Sequence, residues 1–479
     1  MAAADQETIQ HGTPGQVLME NAGKAVVSCI TNRYAPRRTL VLCGPGNNGG
    51  DGLVVARLLG LAGWEVSVAT FSGTLEGYQG DAATMAGQYD GNVYPITPQV
   101  LDSSALTVDA LFGTGLTRPI SGPLADSINA LAECSVPVIA VDIPSGICSD
   151  TGAVLGTAVR ATHTVTFASR KRGHVLMPGR NHCGMVTVAD IGIARETIEA
   201  HSEPCMLHHP IQWLAKFPWP EPRQHKYQRG HSLVFGGPAD KSGAARLAAH
   251  AALRLCGLVT IAITEDALPV YGPACSAVML DTQTTPVPVL VERTRARAIL
   301  IGPGYGIGDK TQATILSLLA THLPVVLDAD ALTSFTDAPE ILFEAIHHRR
   351  VATILTPHAG EFARLFPDSD PAAGKIVQAQ QAAKHSGATV CFKGPDTVIA
   401  TPAGDVTVHS TAPATLATAG SGDVLAGTIT GLLAAGMDAY PAACASVWLH
   451  STAGQIFGPG LTADDLPGML PSALQYLRD

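Results

Sequence analysis

The 479-residue chain has no strongly basic region: 30 Lys and Arg stand against 40 Asp and Glu, a formal charge of −10. A nucleic-acid binder would carry a Lys/Arg stripe, so no nucleic acid is expected as a partner. The densest basic cluster, SRKRGH at 169–174, is short and reads as a solvated loop, with an anion contact as the alternative. Charged residues are only 15% against 46% apolar, which excludes an intrinsically disordered chain. No apolar run is long enough to span a bilayer; the longest, VLAGTITGLLAAGM at 424–437, is too short and too glycine-rich. The first residues, MAAADQETIQ, are polar and acidic, and no secretory signal is visible. No CxxC occurs. The 10 cysteines sit singly in apolar contexts such as LVLCG, RLCGL and TVCFK, which points to buried thiols in a reducing cytoplasm rather than to disulfides or zinc.

What is present is alternation. A chain of this length predicts two or three domains, and the 49 Gly and 33 Pro fall at turns between apolar runs. Strands are predicted at 39–43, 65–70, 106–111, 137–143, 163–168 and 185–190, with helical segments such as GDAATMAGQY and ADSINALAEC between most of them. Near-continuous apolar strands with helical crossovers imply a parallel sheet covered on both faces, a doubly wound α/β domain. FPWPEPRQHKYQRG (217–230) then breaks the pattern, and a joint is expected near 205–225. The alternation restarts at 231–237 and continues through 258–264, 297–304, 324–332, 352–358, 388–394 and 397–402. The expected domains are 1–210 and 220–479, each α/β.

GNNGGDG (46–52) follows the first strand and reads as a glycine-rich loop. GPGNNG formally fits GxGxxG, but the next strand ends without the carboxylate a dinucleotide fold needs, and GK[ST] is absent. Backbone N–H groups at a helix start attract anions, while Asn side chains add hard oxygens that suit an alkali or hydrated cation. Two more strand ends carry polar residues: Asp109 before FGTGLTRP (112–119), and Asp142 and Ser145 in VDIPSG. In a doubly wound sheet such ends converge on one crevice, so Asn48, Asp109, Asp142 and Ser145 form a candidate cation and ligand site.

In the second half, ATAGSGDVLAG (417–427) supplies backbone donors at a helix start, an anion hole for a transferring phosphoryl group. Asp423, in the first turn, can accept a proton from an acceptor hydroxyl. GPGYG (302–306), TPHAGEF (356–362) and KGPDT (393–397) each follow a strand and belong at the same sheet edge. KGPDT offers Lys393 and backbone donors for nucleotide phosphates. His358 and Glu361 are spaced to hold a magnesium-bound water network. DADAL (328–332) is either metal-binding or a capped strand end.

LMENAGKA (18–25), GPGNNGGDGLVVAR (44–57), VDALFGTGLTRPISGP (108–123) and VDIPSGI (141–147) resemble the NAD(P)HX epimerase domain, a Rossmann-like fold. The resemblance implies that hydrated NADH or NADPH is met by Asn47, Asn48, Gly49, Gly50 and Asp51, by Gly113, Thr114, Gly115, Leu116, Thr117, Arg118 and Pro119, and by Asp142. It implies a potassium ion held by Asn48, Asp109 and Ser145, and acid–base work at Asp142. GGPADKSGAARLAAHAALR, IGPGYG, LDADAL, LTPHAGEFARL, FKGPDTVIA, LATAGSGDVLAG and GLTADDLP are similar to the ribokinase-like ADP/ATP-dependent NAD(P)HX dehydratases. That likeness implies substrate contacts at Ala244, Gly304, His358 and Asp423, and an adenine nucleotide, ADP with Mg2+, at Lys393, Gly394, Pro395, Asp396, Thr397 and Gly422. HKYQRGHS, LCGL and STAPAT depart from that family's usual pattern around the nucleotide pocket. Together the expectation is two three-layer α/β/α domains of a bifunctional NAD(P)H-hydrate repair family, using ADP, releasing AMP and phosphate, and forming a homo-oligomer. The contrasting expectation is a ribokinase-like small-molecule kinase fused to a non-catalytic Rossmann-like module.

Overall fold

A computed structural model describes residues 2–102, 104–133 and 135–478. The chain divides into two compact units, the first running through Glu203 and the second starting at Pro204.

The first unit contains strands β1 (Thr39–Cys43), β2 (Val66–Thr70), β3 (Val93–Pro95), β4 (Leu106–Ala110), β5 (Val138–Val141), β6 (His163–Phe167) and β7 (Met185–Ala189). All pair in parallel in the order β3-β2-β1-β4-β5-β6-β7. Side chains alternate across a strand, and TLVLC obeys this on two faces. Val41 and Cys43 enter one core with Leu18, Val26, Leu53 and Val108, while Leu40 and Leu42 enter another with Ala69, Ile120 and Leu131. Burial on both faces is why the strand reads as a continuous apolar run. The strand order reverses between β1 and β4, and ligands in such sheets bind beyond the carboxyl ends of the strands at that reversal.

The second unit contains β8 (Cys205–Leu207), β9 (His231–Phe235), β10 (Leu258–Ile263), β11 (Met279–Thr282), β12 (Ala298–Ile301), β13 (Val325–Leu327), β14 (Thr353–Leu355), β15 (Thr389–Phe392), β16 (Thr397–Ala400) and β17 (Val406–His409). Their order is β11-β10-β9-β12-β13-β14-β15-β16-β17-β8, parallel from β11 to β15 and antiparallel across β15-β16-β17. The reversal here lies between β9 and β12. Strand β8 pairs with β17, so the expected joint at 205–225 begins inside the second sheet, and the division comes earlier, at Glu203 and Pro204. Trp213 is buried in this unit's core, which is why the following proline-rich stretch is anchored rather than a free linker.

Helices Ser242–Leu253 and Ser421–Ala434 run side by side. A Cβ built on Gly427 would lie 2.1 Å from the Ala248 carbonyl oxygen, and one on Gly431 would lie 2.8 Å from that of Ala252. The steps of four residues match in direction, so the helices are parallel and start at the same end. One turn earlier, the same register sets Ala244 opposite Asp423. Among the described residues no helix is long and apolar enough to cross a membrane, and Cys29, Cys43, Cys183, Cys256, Cys391 and Cys444 are buried free thiols.

Candidate active sites

In the first unit GNNGGDG is not a loop. Gly46 is the cap of helix Asn47–Leu61, so the asparagines form its first turn. The glycines serve packing rather than ligand approach. A Cβ on Gly49 would sit 1.8 Å from the Gly44 carbonyl oxygen, and one on Gly50 would sit 2.7 Å from Met19 Sδ. Asn47, Asn48, Asp51, Gly113, Thr114, Gly115, Leu116 and Asp142 line one cavity of about 520 Å3, whereas Gly49 and Gly50 are buried in the helix. Thr117, Arg118 and Pro119 are exposed and do not line it.

Beneath the cavity, Ser145 binds the Asp109 carboxylate through both its amide N (2.8 Å) and its Oγ (2.6 Å). Leu111 N donates to Asp109 Oδ1 at 3.3 Å, and Phe112 N donates to Ser145 Oγ at 2.9 Å. Burial pushes the Asp109 carboxyl up to about 6 against these hydrogen bonds. Among the described residues no basic side chain pairs with it. Asn48 Nδ2 is also buried without a hydrogen-bond partner.

Asp142 is different. Burial opposes its charge, but the Lys171 ammonium at 2.6 Å, together with Thr166 at 2.9 Å, holds its carboxyl below the ordinary carboxylate range. Its φ of 65° is rare for a side-chain-bearing residue and marks strain held by its surroundings. Lys171 belongs to SRKRGH, expected as a solvated loop. Instead its side chain is 8% exposed and it lines the cavity. The available signal was position, since the cluster directly follows β6 at the carboxyl edge of the sheet. Asp51, in the same cavity, is pushed well above the usual range by burial and by the charges of Asp142 and Asp5.

In the second unit the loops after β12, β13, β14 and β15 meet the start of helix Ser421–Ala434. Ala329, with φ 50°, turns its two neighbours to different partners. Asp328 Oδ1 takes Lys393 Nζ at 2.7 Å, while Asp330 Oδ2 accepts from Gly306 N at 2.8 Å. Lys393 also lies 4.0 Å from Glu361 Oε2. A Cβ on Gly422 would be 3.2 Å from Lys393 Nζ, so the GSGD turn closes directly over this ammonium. Lys393 is thus committed to internal carboxylates, and Asp396 to Lys375 Nζ at 2.7 Å. Of KGPDT, this leaves chiefly the backbone for a phosphate. His358 and Glu361 form a reciprocal helix cap: His358 Nδ1 accepts from Gly360 N at 2.9 Å, and Glu361 Oε2 from His358 N at 2.8 Å. That cap accounts for the spacing read as a magnesium-water arrangement. Among the described residues no cluster of three or more His, Cys, Asp or Glu could hold a metal by itself.

Asp423 stands over this group. Burial, reinforced by Asp328, Asp330 and Glu361 and opposed by Lys393, pushes its carboxyl up to about 7. Ala244 lies alongside, and a Cβ on Gly304 would be 3.3 Å from Ala244 Cβ. Ala244, Gly304, Gly422, Asp423 and Lys393 are therefore gathered at one edge, as is His358 on the neighbouring loop.

A family model described as NAD(P)H-hydrate dehydratase matches residues 232–475, and one described as YjeF-related protein N-terminus matches residues 15–173. A bifunctional NAD(P)H-hydrate repair enzyme of Salinibacter ruber is 34% identical across 98% of this chain and 94% of its own length. The chain belongs to the bifunctional NAD(P)H-hydrate repair enzyme family. A family member from Moorella thermoacetica is 36% identical over 97% of this chain and 93% of its own. A solved ADP/ATP-dependent NAD(P)H-hydrate dehydratase of Bacillus subtilis, co-crystallised with ATP/Mg2+, covers 57% of this chain and 98% of its own at 27% identity, with a TM-score of 0.49. In this repair-family chain Asp142 and Asp328 each directly follow a sheet strand, β5 and β13.

Proposed function

We propose that the first unit interconverts the R and S forms of hydrated NADH and NADPH, and that the second dehydrates the S form with ADP, giving NAD(P)H, AMP and phosphate. The observation that carries this reading is the pair of differently tuned carboxyls, Asp142 held ionised beside Lys171 and Asp423 raised to about 7, in a chain related along nearly its whole length to repair enzymes.

In the hydrate, C6 bears both a hydroxyl and the ring nitrogen N1. Asp142 takes the hydroxyl proton, and the C6–N1 electron pair moves onto N1, where the ring carboxamide delocalises it. Rotation about C5–C6 and return of N1 to the opposite face, with the proton handed back to oxygen, inverts C6. In the second unit Asp423 takes the same hydroxyl proton as the oxygen attacks the β-phosphorus of ADP and the bond to AMP breaks. The N1 lone pair then expels phosphate from C6, and loss of a C5 proton restores the double bond.

Potassium fits the first site, where Asp109 is a buried carboxyl with no cationic neighbour among the described residues. Asn48, Asp109 and Ser145 would hold it, and it would supply fixed positive charge near the substrate. Mg2+ fits the second site as an ion carried in with nucleotide phosphates.

The test is incubation of the purified chain with mixed hydrated NADH and ADP. Full return of the reduced-nicotinamide absorbance, with one AMP and one phosphate per NADH, is expected. Absence of any return, or accumulation of a stable phosphorylated product, would overturn the reading.

A further inference from the structure

Lys171 holds the residue that the first reaction depends on. Its Nζ donates to Asp142 Oδ1 at 2.6 Å, to Thr166 Oγ1 at 2.8 Å and to the Phe167 carbonyl at 3.0 Å. An ammonium has three protons, and all are used. Thr166 Oγ1 in turn donates a hydrogen bond to Asp142 Oδ1 at 2.9 Å. The same loop also grips the backbone. His174 Nδ1 accepts from Lys171 N at 3.0 Å, which places the ring proton on Nε2, and Nε2 donates to the Asp142 carbonyl at 2.9 Å. Residues 171–174 therefore hold Asp142 at its carboxylate and at its main chain, in the left-handed conformation it adopts. Two donors crowd Oδ1. Among the described residues none reaches Oδ2, although Asp142 lines the cavity.

We propose that Lys171 is the positioning residue of the epimerase base: with Thr166 it occupies Oδ1 and leaves Oδ2 as the oxygen that exchanges a proton with the C6 hydroxyl. This rests on the epimerase reading above. The proton goes from the hydroxyl to Oδ2 as the C6–N1 pair moves to N1, and it returns on closure, so nothing is consumed.

The charged and titratable groups around Asp142 are Lys171 and His174 on the loop after β6, Asp51 on helix Asn47–Leu61 and Asp5 on helix Ala2–Gln10. Burial and the Asp142 charge hold Asp51 toward its neutral form, and burial does the same for Asp5. His174 is pushed down to about 4, chiefly by burial and then by Lys171, and stays neutral near pH 7. Lys171 is thus the cation that counters the burial of Asp142.

The experiment follows R-to-S conversion by the full chain across pH, with thermal unfolding of the full chain, including the transition of the first unit, as the measure of folding. For Lys171→Met we expect kcat/KM for epimerisation to fall by about 10²-fold or more near pH 7, with the loss shrinking as pH rises because the acidic limb moves upward. Lys171→Arg should leave that limb near its wild-type place. A limb that does not move in Lys171→Met, or an equal loss at every pH, overturns the inference while leaving the epimerase reading intact. If Lys171→Met fails to fold, Thr166→Val carries the same requirement of an upward shift. If the wild-type chain does not consume the R form while it still dehydrates the S form, the epimerase reading falls, and the inference with it.

Discussion

A carboxyl kept from ionising by burial is useful to chemistry and costly to the fold. Asp423 ionises near 7, above the ordinary value of 3.8, because burial and then Asp328 oppose its charge. In an unfolded chain it would lose its proton near the ordinary value. Between those pH values the native state holds a proton the unfolded state lacks, so this group's contribution to stability falls as pH rises toward 7, and the penalty is complete above it. Asp423→Asn should therefore raise the melting temperature at pH 8, by an amount on the order of 2–4 °C, and the gain should vanish near pH 4. The same titration should appear in catalysis, with wild-type dehydration of the S form rising with pH through a midpoint of about 7. A variant no more stable than wild type at pH 8 would contradict the assigned environment. Asp423 was legible in the sequence because GSGD is a local motif. Lys171 was not: its partner Asp142 is 29 residues away, and only folding of β5 beside β6 joins them.

At the scale of elements, several glycines set distances between elements. The spacing of Gly427 and Gly431 lets helix Ser421–Ala434 lie against the backbone of Ser242–Leu253, and that contact sets the Asp423 end beside Ala244. A methyl at 427 has to share space with a carbonyl oxygen at 2.1 Å, and backbone cannot rotate away as a side chain can. Gly427→Ala should cost roughly 1–3 kcal/mol or more in unfolding free energy and should lower dehydration more than epimerisation, because the displaced element carries Asp423. Urea denaturation and paired assays on one preparation check both. GNNGGDG shows why the sequence alone misleads here: seven residues with four glycines have poor helix propensity, and only the close approach of Gly44 and Met19 explains a helix starting at Asn47. The interior strands, by contrast, were legible in their starts to within a residue, since burial on both faces makes them apolar runs, but their ends were set too late: 324–332 is a strand only over Val325–Leu327, and 297–304 only over Ala298–Ile301. The short strands β3, β8, β11 and β17 were not expected, because three or four residues carry too little periodicity to distinguish them from loops.

The whole molecule has two sheets, each complete in itself and each with its own acidic centre, so the two activities should be separable by single substitutions. Replacement of Asp142 needs care, because at φ 65° alanine adds backbone strain, whereas asparagine tolerates the left-handed region. Asp142→Asn removes the base while preserving that geometry. With pure R hydrate and ADP it should produce NADH only as fast as spontaneous epimerisation supplies the S form, and with pure S hydrate it should match the wild type. Asp423→Asn should do the reverse, interconverting R and S at the wild-type rate while dehydration falls by roughly 10²- to 10⁴-fold. Mixing the two variants should restore turnover of the R form, because the released S hydrate can diffuse from one chain to the other. If the mixture stays as slow as either variant alone, the two centres do not act as independent catalysts, and the division of labour between Asp142 and Asp423 is wrong.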